Sequence, residues 1–161
     1  MDALVPIIMG SPSDMDHAEA IGAALTDLGI AYEMRVASAH KVPAYTLQLL
    51  AAYEADPRPK VYVTIAGRSN ALSGLVDAQV TAPVIACPPG SSNFGGADIY
   101  SSLRMPGGVA PAVVLEPANA ALLAAKILGL SQPEIRERVA QLQQANRDRL
   151  LESDAALNSS G

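Results

Sequence analysis

The chain has 161 residues, half of them hydrophobic, no tryptophan and a formal net charge of −5. That length suits one domain with a real core, and an acidic balance without a basic stripe argues against a nucleic-acid partner. The one cysteine, Cys87, excludes an internal disulfide framework and fits a reducing compartment.

The opening "MDALVPIIMG" carries an acid where a secretory leader is basic, and no apolar stretch suffices to cross a bilayer as a helix. A cytoplasmic protein without a membrane partner is expected. Residues 4–9, "LVPIIM", form a short apolar strand. Residues 13–29 place Ala18, Ile21, Ala24, Leu25 and Leu28 at helical spacing, and Gly29 supplies the stop. A strand over 30–37 follows, then a helix opened by Pro43. The β-branched run 60–66 is the third strand, 70–80 a short helix, 82–87 the fourth strand and 111–116 the fifth. Strands alternating with helices imply right-handed crossovers and a mainly parallel sheet in an α/β fold.

The segment 117–130 is apolar on nearly every face, with Lys126 its only charge. So small a domain offers little interior for such a helix, so a subunit interface is expected there. The charged segment 131–154 has a thin stripe of Ile135, Val139 and Leu142 and reads as a surface helix. One domain is therefore expected over 1–155, with this helix at about 132–154 and a frayed tail at 156–161.

In parallel α/β sheets, ligands bind beyond the carboxyl ends of the strands. The four loops there read "GSPSD" (10–14), "SAHK" (38–41), "AGRSN" (66–70) and "CPPGSSNFGGAD" (87–98). In the first, Gly10 permits a tight turn, and free N–H groups with the Ser11 and Ser13 hydroxyls suit a phosphate. Asp14 suits sugar hydroxyls. Ser13 with Asp16 also fits a capping box. A histidine's ordinary pKa, about 6.5, suits acid–base work near neutrality, which makes His40 a candidate that Ser38 would orient. Lys41 and Arg68 are candidate anion ligands. Asn70 alternatively caps the following helix. His17 reads as a solvated or packed helix residue. The histidines and the cysteine lack ligand spacing, so no metal is expected, and a Cys87–His nucleophile pair is disfavoured because Cys87 ends a buried strand. The glycines and serines after Cys87 fit a lid or a polar connection.

Together "MGSPSDMDHA", "SAHK", "AGRSNALSG", "ADIYSSLRMP" and "NAALLAAKIL", in that order from about residue 5 to residue 130, resemble the phosphoribosylaminoimidazole carboxylase family of purine biosynthesis. The family has a mutase branch, which moves a carboxylate from N5 to C4 of the imidazole and reads "SAHRTP" and "GAGGAAHLPG". Its other branch carboxylates with CO2 directly and reads "SAHK" and "AGRSN". Lys41 and residues 66–74 resemble the direct carboxylase, and Ala71 stands where the mutase branch has a second histidine.

The resemblance implies a flavodoxin-like three-layer α/β/α sandwich and a homo-oligomer, an octamer or else a tetramer. It implies no cofactor and, as partners, 5-aminoimidazole ribonucleotide and CO2. His40 is then the catalytic base. Gly10, Ser11, Ser13, Asp14, Ser38, Ala39, Lys41, Gly67, Arg68, Ser69 and Leu72 form the substrate-binding set. The mutase and a non-catalytic nucleotide-binding module are the alternatives. The 4% aromatic content leaves no stacking residue in the first three loops for such a module.

Overall fold

The computed structural model describes residues 2–90 and 92–158. Its sheet has five strands in the order β2-β1-β3-β4-β5, with every neighbouring pair parallel. β1 (Leu4–Met9) is buried throughout, because β2 (Ala31–Val36) and β3 (Tyr62–Ile65) flank it. Period-two alternation sends Val5, Ile7 and Met9 to one face and Leu4 and Ile8 to the other. β4 (Val84–Ala86) and β5 (Ala112–Val113) complete the sheet. β5 is shorter than the expected 111–116, since it lies between Pro111, which has no N–H to give, and Pro117, which opens a helix.

Helices cover both faces. α1 (Met15–Asp27), α5 (Pro117–Leu128) and α6 (Pro133–Asn158) pack on one side. On the other lie α2 (Pro43–Ala55) and α3 (Ala71–Asp77). The molecule is a flavodoxin-like three-layer sandwich.

One expectation changes at α1. The chain enters α1 through a 3-10 turn at Pro12–Asp14, so the helix starts at Met15 rather than Ser13. Pro12 pre-sets the turn's backbone, and Ser11 is the cap. The capping box from Ser13 to Asp16 does not form, because Ser13 directs its own N–H to Ser11 Oγ at 3.2 Å. In α5, Ala120, Ala121, Ala124 and Ala125 are buried within the subunit, under α1 and α6. α1 and α6 cover that face, while Leu122, Leu123 and Ile127 are only partly buried on the single subunit. Small side chains let those elements approach closely.

α6 runs to Asn158, beyond the expected 154, so residues 156–158 belong to its last turn; the rest of the expected tail, 159–161, lies outside the described residues. Ile135 and Val139 are buried as expected, whereas Leu142 stays 38% exposed. Arg138 ties this helix to the end of α1, donating to Leu28 O at 3.1 Å and Gly29 O at 2.9 Å. Gly29 has φ +63°, and a Cβ there would run into the Arg138 guanidinium. Sequence reading missed a 3-10 stretch at Asn93–Ile99 and the single turn α4 (Tyr100–Leu103). Among the described residues no helix is long and apolar enough to cross a membrane.

Candidate active site

From β1 the chain crosses to β2 on one side and then to β3 on the other. The loops after β1 and β3 therefore diverge and open a crevice at the carboxyl ends of the strands. A cleft of about 570 Å³ lies there. Gly10, Ser11, Ser13 and Asp14 line it from the loop after β1, and Ser38, Ala39, His40 and Lys41 from the loop after β2. The loop after β3 adds Ala66, Gly67, Arg68 and Ser69, with Leu72 from the first turn of α3. Every residue expected at a substrate site thus borders one space. Ala66, Pro89 and Asn93 border it too and were not foreseen. Asn93 belongs to the polar loop after β4, where many small polar residues gave no reason to single out one. Whether that loop is a lid falls partly on Ser91, which lies outside the described residues.

The first loop has a fixed direction of hydrogen bonding. Ser11 Oγ accepts the Ser13 N–H at 3.2 Å and the Ser13 hydroxyl at 2.8 Å. Both Ser11 lone pairs are engaged, and its hydroxyl proton is left to donate toward the cleft. The backbone N–H groups expected to be free here are already engaged, Gly10 with Ile65 O, Ser13 with Ser11 Oγ, Asp14 with Ser11 O and Met15 with Pro12 O, so the Ser11 hydroxyl is the loop's donor toward an anion. Asp14 sits on the same loop, and partial burial pushes its carboxyl above the ordinary value, opposed by the hydrogen bond with Ser11 and by the charge of His17.

His40 stands on a tight turn that the backbone closes from Val42 N–H to Ser38 O at 3.0 Å. Ser38 Oγ accepts the Lys41 N–H at 3.3 Å, so it fastens the turn and does not orient the imidazole. That corrects the role foreseen for Ser38. Among the described residues none hydrogen-bonds the His40 ring, which is exposed at the cleft's edge. His17 is built differently. Its Nε2 lies 3.3 Å from Cys87 Sγ, and Cys87 is buried at the end of β4. Burial, with Glu116 adding to it, pushes the Cys87 thiol up to about 12. A thiol held neutral in this way is no nucleophile.

Arg68 has φ 56°, left-handed backbone on a large side chain. Such a residue costs on the order of 1–3 kcal/mol and persists only where its surroundings hold it. Asn70, two residues on, is buried and caps α3, accepting the Ser73 N–H at 3.1 Å. Among the described residues no three His, Cys, Asp or Glu side chains gather as a metal site.

The AIR carboxylase family model matches residues 4–149. The chain belongs to that family. It is 55% identical over 157 residues to a phosphoribosylaminoimidazole carboxylase of Treponema denticola, covering 98% of this chain and 99% of that protein. It is 53% identical over 151 residues to a protein of the same name from Archaeoglobus fulgidus, covering 94% and 83%. A crystal structure of Treponema denticola PurE superposes with a TM-score of 0.95 at 55% identity, over 96% of this chain and 98% of that one. As an AIR carboxylase family member, the chain carries its candidate residues at the sheet end where α/β enzymes bind their ligands.

Proposed function

We propose that this protein carboxylates 5-aminoimidazole ribonucleotide reversibly at C4, with CO2 as the donor, in purine biosynthesis. The observation that carries the reading is the cleft in which three loops bring His40, whose ring none of the described residues hydrogen-bonds, to the same space as the Ser11 hydroxyl. Ser11 donates to the 5′-phosphate beside Gly10, with Ser13 aligning the Ser11 hydroxyl, and Asp14 takes the ribose hydroxyls. Ser38, Ala39, Lys41, Gly67, Arg68, Ser69 and Leu72 surround the ring and the incoming CO2.

The aminoimidazole is an electron-rich enamine. Its electrons form the new C4–carbon bond while a CO2 π pair moves onto oxygen as carboxylate. C4 is then tetrahedral, bearing hydrogen and carboxylate together. His40 removes the C4 proton, and the C–H pair restores the aromatic ring. The exposure of His40 supports this role, since the proton must pass on to solvent. In reverse the imidazolium returns a proton to C4. The residues needed are all in the chain, and no cofactor or metal enters the scheme.

The protein acts in the cytoplasm as a homo-oligomer, an octamer or a tetramer. Phe94, Tyr100, Leu103 and Leu115 support self-association, being large apolar side chains left exposed on the single subunit, Phe94 at 86%. The donor is tested by supplying the ribonucleotide with labelled bicarbonate and no ATP. The C4 carboxylate should form carrying the label of the medium. Faster conversion of the N5-carboxylated compound, with its own label retained, would make this chain the mutase.

A further inference from the structure

The strained Arg68 and Asn70, two residues on, are held by residues outside the cleft. Ser101 Oγ accepts the Asn70 N–H at 3.0 Å, and it lies 3.1 Å from Arg68 O and 2.8 Å from Asp98 O. One hydroxyl proton serves either carbonyl, so Ser101 bridges the two ends of the Arg68–Asn70 turn. Ser102 takes the side chain: Asn70 Nδ2 donates to its Oγ at 2.9 Å. The other end of that amide is fixed as well. Asn70 Oδ1 accepts the Ser73 hydroxyl at 2.9 Å, and Ser73 Oγ lies 2.7 Å from Thr64 Oγ1 on β3. Thr64, Asn70, Ser73 and Ser102 are all buried. Ser73 donates to Asn70 Oδ1 and the Asn70 amide donates to Ser102, while Thr64, whose hydroxyl also reaches Ile85 O at 3.4 Å, anchors the far end on β3.

We infer that Ser101 and Ser102 of α4 are positioning residues for the reaction, clamping Asn70 by its backbone and side chain so that Arg68 and Ser69 keep one arrangement against the substrate. Neither serine lines the cleft, so they act only through that loop. A buried network with every member satisfied specifies a single geometry, and the left-handed Arg68 is where a loop without it would relax. The loop after β4 thus controls the loop after β3. The kinetic part of this inference rests on the reading that Arg68 and Ser69 surround the CO2; the clamp itself does not.

The test compares wild type with Ser101→Ala, Ser101→Thr and Ser102→Ala. Each protein is followed by amide hydrogen exchange over residues 67–70 and by steady-state kinetics in nucleotide and in CO2. In Ser101→Ala, exchange should quicken and kcat/KM for CO2 should fall about tenfold, in keeping with one lost hydrogen bond of ordinary strength. Nucleotide affinity should be unchanged. Ser101→Thr, which keeps the hydroxyl, should restore both, and Ser102→Ala should shift both in the same direction as Ser101→Ala. A loss of nucleotide binding in proportion to turnover would mean a merely structural role and overturn the inference, as would wild-type kinetics in Ser101→Ala. If the wild type does not carboxylate the ribonucleotide, the functional reading fails. Exchange then decides the clamp, and equal protection of 67–70 in wild type and Ser101→Ala overturns it.

Discussion

The two histidines occupy opposite kinds of surroundings. His17 lies half-buried on α1 with its ring against the buried thiol of Cys87. His40 stands on a turn braced by Ser38, and its ring borders the cleft with no hydrogen-bond partner among the described residues. Both elements are well ordered by hydrogen bonds, but the bonds are made by different groups. Around His40 the backbone and Ser38 hold the turn, which leaves the side chain free to react. At His17 the side chain itself is taken up by the fold. A rigid support with an unspent functional group is what separates a candidate catalyst from a packing residue.

The largest effect should come from exchanging these two roles' occupants for asparagine. His40→Asn should lower turnover by roughly 10²- to 10⁴-fold, the usual contribution of general acid–base catalysis, with nucleotide affinity kept. His17→Asn should leave turnover within about twofold while shifting the melting temperature. Equal losses in both variants would erase the distinction.

Next in size is the Ser11 hydroxyl on the loop after β1, which borders the same cleft as His40. Ser11→Ala removes the cap of the 3-10 turn and the proton aimed at the cleft. Stability should fall by about 0.5–2 kcal/mol, and nucleotide KM should rise about tenfold, as for a lost hydrogen bond to a charged group. Thermal shifts with and without a phosphorylated ligand separate the two effects. A variant that only loses its cap melts lower by the same amount in both.

A smaller effect sharpens the other side of the comparison. With its thiol pushed up to about 12 by burial, Cys87 stays protonated at pH 8. Native protein should resist alkylation there and react only on unfolding. Modification at the rate of a free thiol would show that the His17 region is open to reagents. Gly29→Ala, far from both histidines, should cost about 1–2 kcal/mol for its left-handed backbone, plus displacement of Arg138, and leave kcat unchanged.

Much of this was legible in the residues themselves. The continuous apolar run "LVPIIM" marked a strand covered on both faces, and the helical spacing from Ala18 to Leu28 marked a helix packed on it. The cleft was legible because a parallel sheet brings every loop after a strand to one end. What escaped was set by tertiary contacts between distant segments. Nothing local in "YSSL" marks Ser101 and Ser102 as partners of Asn70, about thirty positions away in the chain. Ser13 was misread as the cap because Pro12 starts the turn early.

The most direct measurement is decarboxylation of the C4-carboxylated ribonucleotide in D2O, with nucleotide binding measured on the same samples. Wild-type protein should release 5-aminoimidazole ribonucleotide carrying one deuterium at C4, delivered by the solvent-equilibrated His40 imidazolium. His40→Asn should bind the nucleotide equally well and deliver no deuterium at a comparable rate. Deuterium transfer by His40→Asn at the wild-type rate would contradict the account, because the proton at C4 would then come from another group.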